Sequence, residues 1–163
     1  MEKRNKDCRE NLLLKRNNEK LIDRICEEIL NYLGKDSGFY AKKTAYSCVQ
    51  VSKKNWLNME TKGLHYEVWC KNIGDRDLLG CEDAEFWIGL HIEGRNVYIN
   101  RVISELEKAG VSKTFRYIVE QRKLILSFED EKSINESICR ISEEVKRLDD
   151  KYTEKIDWAF SRI

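Results

Sequence analysis

The chain has two histidines, and each sits in a stretch that alternates between apolar and polar residues. His65 lies in Leu64-His65-Tyr66-Glu67-Val68-Trp69-Cys70-Lys71, and His91 in Glu85-Phe86-Trp87-Ile88-Gly89-Leu90-His91-Ile92-Glu93. Alternation with period two is the mark of a strand that buries one face. The first stretch then has an inner row Leu64, Tyr66, Val68, Cys70 and an outer row His65, Glu67, Trp69, Lys71. The second has an inner row Phe86, Ile88, Leu90, Ile92 and an outer row Glu85, Trp87, Gly89, His91, Glu93. If the two pair antiparallel, both inner rows face one core and both outer rows share the opposite face. One register sets Lys71 across from Glu85, Trp69 from Trp87, Glu67 from Gly89 and His65 from His91. It gains an opposite-charge pair and an aromatic pair, each worth about 0.2–1 kcal/mol.

That face has the atoms for three kinds of chemistry. His65, His91 and one of Glu67 or Glu93 form a workable ligand set for a divalent metal. The Trp69–Trp87 pair can stack bases, at about 1–3 kcal/mol per base, with Lys71, Arg76 or Arg95 taking phosphates. Glu67, Lys71 and Glu93 together imitate a metal-dependent nuclease, better than the short ExK pattern in Glu60-Thr61-Lys62, which reads as a turn. Plain packing competes with all three, because large aromatics are more often core than ligand platform. In that case a helix, the N-terminal one for instance, half-covers the face, and the His and Glu residues form its polar rim. Tyr46, Cys48 and Gln50 edge the same face.

Other chemistry finds little support. Cys70 and Cys81 lack the short paired spacing of a zinc finger or ribbon, and Cys70 falls in the inner row, away from both histidines. No Gly-x-Ser-x-Gly elbow, phosphate-binding loop or dinucleotide fingerprint is present, so no catalytic residue is assigned and no cofactor is called for. With 30 basic against 29 acidic side chains the net charge is +1, which argues against a generally basic nucleic-acid binder. No apolar run approaches the roughly 20 residues that span a bilayer, and Leu12-Leu13-Leu14 is too short for a secretory signal, so a cytoplasmic protein without a membrane role is expected. The six cysteines, without a CxxC pair, then read as reduced thiols. Proline is absent, so turns fall to Gly, Asn and Asp, as at Gly34 to Gly38 and Asn72 to Asp75.

The elements that must position the face follow from periodicity. Apolar residues at helical spacing from Asn11 to Leu33 predict an amphipathic helix stopped by Gly34. Strands are expected over Thr44–Lys53, Leu64–Lys71 and Glu85–Glu93. A helix follows over Asn96–Gly110 with Val97, Ile99, Val102, Ile103, Leu106 and Ala109 as its stripe, then a short strand at Phe115–Val119 and another at Lys123–Glu129. A long helix begins near Ser133, behind the acid and cap of Asp130-Glu131. This order predicts a single α+β domain over residues 1–163, an antiparallel sheet of about four strands with an N-terminal, a middle and a long C-terminal helix.

Two classes of function remain. The favoured one is a small non-catalytic protein that works by binding a macromolecule, as a regulator, inhibitor or accessory subunit. Its contact face is His65, Glu67, Trp69, Lys71, Trp87, His91 and Glu93, and its partner is a protein, or else a nucleotide or nucleic acid. The alternative is a metal-dependent nuclease or phosphodiesterase-like enzyme with His65, His91, Glu67 and Glu93 at the metal. The stripe of the C-terminal helix, with Trp158, Phe160 and Ile163 at its end, also suits a homodimer.

Overall fold

Gly34 ends the first helix as expected: at φ 91° it donates its N–H to the Leu30 carbonyl at 3.1 Å, closing α1 (Glu2–Leu33). The computed structural model describes residues 2–44, 48–56, 63–73, 76–94 and 97–163, with side chains from residue 17 onward. Tyr46, the Glu60-Thr61-Lys62 triplet, Gly74-Asp75, Arg95 and the side chains of Cys8 and Leu14 lie outside the described residues. The helix starts at Glu2, nine residues before the first expected position, and buries Leu21, Ile22, Ile25, Ile29 and Leu33.

The sheet has five strands in the order of the chain, every neighbour antiparallel: β1 (Phe39–Lys43), β2 (Val49–Lys53), β3 (Leu64–Cys70), β4 (Ala84–Ile92) and β5 (Ile118–Leu126). Between β4 and β5 runs α2 (Val97–Lys108), and α3 (Glu131–Phe160) closes the fold. The class is α+β, with one strand more than expected. The extra strand is β1, a half-buried edge whose Lys42 and Lys43 guard it against pairing with other chains and blur its alternation. It lies wholly before the expected Thr44–Lys53 strand, which begins only at Val49.

The two short strands expected at Phe115–Val119 and Lys123–Glu129 are one strand, β5. Its inner row carries Glu120 and Arg122, register partners of Leu90 and Ile88. These charges lie against α3 because α3 matches them. Glu120 accepts from Arg147, Lys151 and Tyr152, and Arg122 pairs with Glu144 at 3.0 Å. Phe128, past the strand end, is fully buried, its N–H bonded to the Cys81 carbonyl at 2.7 Å.

Both long helices pack on the inner face. The Tyr66 hydroxyl reaches Thr153 of α3 at 2.7 Å, and Asp23 of α1 pairs with Lys43, whose register partner Val49 is in the inner row. Asp130 caps α3 and shares a capping box with Ser133. The α3 stripe from Ile134 to Ile156 is buried within the chain, and at its end Trp158 and Ile163 are exposed while Phe160 is half-buried. In α2 the buried residues are Ile99, Val102 and Leu106, whereas Val97, expected in that stripe, is exposed in the first turn.

Candidate metal centre on the outer face of the sheet

The β3–β4 ladder has the register read from the sequence: His65 faces His91, Glu67 faces Gly89, Trp69 faces Trp87, and the Lys71 N–H donates to the Glu85 carbonyl at 3.0 Å. The outer rows therefore share one face, and no described helix lies on it. The helix expected to half-cover it, α1, is on the other side, because its own apolar stripe and that of α3 need the inner rows.

The face divides into two ends. At one end Glu85 collects charge: Lys71 and Lys123 each approach it at 3.9 Å, and Trp87 donates its indole N–H at 2.8 Å. Lys123 also lies over the Trp87 ring, 5.7 Å from its centre. Arg76 pairs with Asp83 at 3.0 Å in the same connection. Lys71 and Arg76, the expected phosphate ligands, are thus already paired. Lys71 stands six residues, roughly 20 Å, along its strand from His65.

At the other end His65, Glu67, His91 and Glu93 converge, each offering a ligand atom within 4.8 Å of the others. His65 is fully buried and His91 is 4% exposed, yet none of their four ring nitrogens has an aligned hydrogen bond. They are close to carboxylate oxygens all the same. The Nδ1 of His91 touches Oε2 of Glu67 and lies 3.8 Å from Oε1 of Glu93, and Nε2 of His65 lies 3.8 Å from Oε2 of Glu67. Gln50, the register partner of Glu67, also buries its side-chain oxygen without a partner. A buried polar atom left unpaired costs about 1–3 kcal/mol, so a cluster of them on one spot is expensive unless something binds there.

The imidazoles and carboxylates of the cluster set each other's charge. Burial pushes the Glu67 carboxyl up, but the neighbouring imidazoles of His65 and His91 outweigh it and hold that carboxyl well below the ordinary range. Burial pulls His91 down, and the carboxylates of Glu67 and Glu93 outweigh that in turn, holding it above its usual 6.5. Ligands about 2.1 Å from one ion stand at most about 4.2 Å apart, so a divalent metal fits after a contraction of about half an ångström. Cys70 and Cys81 are not part of this cluster; among the described residues Cys26, Cys48, Cys70, Cys81 and Cys139 are free thiols.

Two features of β4 and β5 shape the surroundings. The register shifts between Leu90 and His91, so that His91 faces Ile118 and Val119 is the extra residue on β5. Such a bulge re-aims the side chains beside it. Two residues earlier, a Cβ on Gly89 would collide with the Glu120 carbonyl oxygen and come within 3.1 Å of the Gln121 Cα. Glycine lets β5 lean over the outer face. Together these bring Tyr117 against His91, ring centres 5.1 Å apart, and make Tyr117, Ile118 and Gln121 one wall of a cleft of about 420 Å³. Trp69, Trp87, Glu67, His91 and Glu93 line the rest of it.

Sequence reasoning missed the other flank of this centre. A second cavity, about 990 Å³, shares Glu93 and Tyr117 with the first and adds Asn100, Lys113 and Arg116. The signal was the alternation of basic and aromatic residues in Lys113-Thr114-Phe115-Arg116-Tyr117, but nothing in the spacing shows that this turn lands beside His91. Compared with models of known protein families, with curated proteins and with solved structures, the chain matches none.

Proposed function

We propose that the protein is a metal-dependent hydrolase of the phosphodiesterase or nuclease type, with His65, Glu67, His91 and Glu93 around one divalent cation. The observation that carries this is the convergence of two buried imidazoles, whose ring nitrogens lack aligned hydrogen bonds, with two carboxylates on one spot. A ligand set of nitrogen and oxygen suits zinc, manganese or iron. A cation that takes more than four ligands would still have positions there for water and substrate. Glu67 and Glu93 border the cleft, so those positions open toward a ligand, as catalytic rather than structural sites require.

A cation held there would polarise the attacked centre and lower the pKa of a bound water. His65 and Glu67 hold the ion from the floor. Glu93, at the rim, would hold the ion through one carboxylate oxygen and take the water's proton on the other. Attack of that water on phosphorus would break the bond to the leaving oxygen, which would take the proton from Glu93. The test is manganese-dependent cleavage of a phosphodiester by the wild type against Glu93→Gln. The proposal expects the variant to bind manganese less tightly and to lose turnover, and equal turnover in both would overturn it.

The half-exposed Trp69 and Trp87 favour a second reading, a non-catalytic protein that docks a macromolecular partner on the same face, as a cytoplasmic regulator or accessory subunit. Partner binding that is indifferent to metal would select it. The exposed Trp158 and Ile163 at the end of α3 are the corresponding place for a second copy of the chain.

A further inference from the structure

The cations around the sheet are mostly neutralised. Lys71 and Lys123 approach Glu85, Arg76 pairs with Asp83, Arg122 with Glu144, and Arg147 and Lys151 with Glu120. Lys113 and Arg116 are different. Both are exposed, both line the larger cavity, and neither forms an ion pair with any described residue. With a divalent cation at the centre, Glu67 and Glu93 are balanced, and these two charges give the cavity beside it a surplus of about two positive charges. In a chain of net charge +1 that surplus is local, so it steers an anion to one place.

The turn that presents them is fixed. Phe115 and Ile118 exchange backbone hydrogen bonds at 3.3 and 2.7 Å, and the Tyr117 carbonyl accepts from the Ile92 N–H at 2.8 Å, tying the turn to the strand end that carries Glu93. Arg116 takes a left-handed backbone, φ 47°, which costs a non-glycine residue free energy. Its guanidinium lies 5.2 Å from the centre of the Phe115 ring, an interaction that orients the charge without neutralising it. Asn100, from the first turn of α2, adds an amide to the same cavity.

The two cavities meet at Glu93 and Tyr117, with cations on one side of the metal centre and indoles on the other. We infer that Lys113, Arg116 and Asn100 form the phosphate subsite of this centre, and that its substrate is a single-stranded nucleic acid whose bases stack along Tyr117 and Trp87. The inference rests on the metal reading and adds the substrate class and the groups that hold it. A strand fits better than an isolated phosphate because the charged and aromatic subsites flank the centre instead of coinciding. Lys113 and Arg116 bind and position, and do no chemistry themselves.

The test uses the full chain with manganese and a labelled oligothymidylate of roughly six nucleotides. Manganese binding is counted by electron paramagnetic resonance, and oligonucleotide binding is read by anisotropy across a salt series. In Lys113→Gln/Arg116→Gln, manganese binding is expected to stay at the wild-type level. Oligonucleotide affinity should fall about tenfold or more, and the slope of log affinity against log salt should shrink by about one to two. Wild-type manganese binding with no oligonucleotide binding, or with affinity and salt slope unchanged in the variant, overturns the subsite and leaves the metal reading standing. Absence of manganese binding in the wild type overturns both.

Discussion

His65 and His91 stand directly opposite each other across the β3–β4 ladder, their ring centres 5.7 Å apart, with Glu67 diagonal to His91 and in contact with it. Adjacent strands force this closeness, so the pair is a property of the register. Burying imidazole nitrogens without aligned hydrogen bonds lowers stability, and in the proposed metal reading a bound ion would offset that loss. Replacing His65 by Leu removes one such group from a fully buried position. The metal-free variant is expected to be at least as stable as the metal-free wild type, by up to about 1 kcal/mol. Wild type at a metal concentration of about 100 Kd should gain about 2.7 kcal/mol, and the variant nearly nothing. Urea melts with and without manganese measure both, and a variant that is much less stable without metal would assign His65 to packing alone.

Gly89 carries a second prediction. Gly89→Ala puts a methyl into the Glu120 carbonyl, a backbone atom that moves only if β5 moves. The expected loss is about 1–3 kcal/mol in urea melts. Because β5 forms one wall of the cleft, metal affinity should drop as well. An unchanged melt would mean that β5 does not lean over β4 here.

The sequence showed the β3–β4 pair and hid its surroundings, for physical reasons. Leu64 to Lys71 and Glu85 to Glu93 alternate cleanly because helices cover one face and no described helix covers the other. Their register followed from charge and aromatic pairing at Lys71–Glu85 and Trp69–Trp87. β5 was hidden because Glu120 and Arg122 occupy inner positions, which reads as a break until α3 supplies Arg147 and Glu144. β1 was hidden because its apolar row is only Phe39 and Ala41, and Lys42 and Lys43 then end the alternation. Lys113 and Arg116 reach the centre through a turn and a bulge, and neither leaves a periodic mark.

Acid stability tests the junction of β5 and α3. The Glu120 carboxyl would be raised by its burial, but Lys151, Tyr152 and Arg147 outweigh that and hold it at about 2, below its ordinary 4.5. A depressed carboxyl stabilises the fold fully above its unfolded value and loses that contribution as pH falls through the folded one. Glu120→Gln should therefore be less stable than wild type at neutral pH, with the gap closing between about pH 4.5 and 2. A gap that is constant over that window would contradict the pairing.

The two indoles can be separated from the metal. Trp69→Ala and Trp87→Ala should leave manganese affinity near the wild-type value, since neither ring is a ligand. Each should weaken oligothymidylate binding, by about 1–3 kcal/mol where a base stacks on the lost ring. Equal oligonucleotide affinity in both variants, measured by anisotropy, would remove the Trp face from the binding surface.

The most direct measurement is calorimetric titration of metal-free protein with manganese and with zinc, alongside Glu67→Gln and His91→Ala. The account predicts one equivalent bound by the wild type, and an affinity at least about tenfold weaker in each variant, which loses a ligand the others cannot replace. No heat and no bound metal in the wild type, or wild-type affinity in both variants, would contradict it.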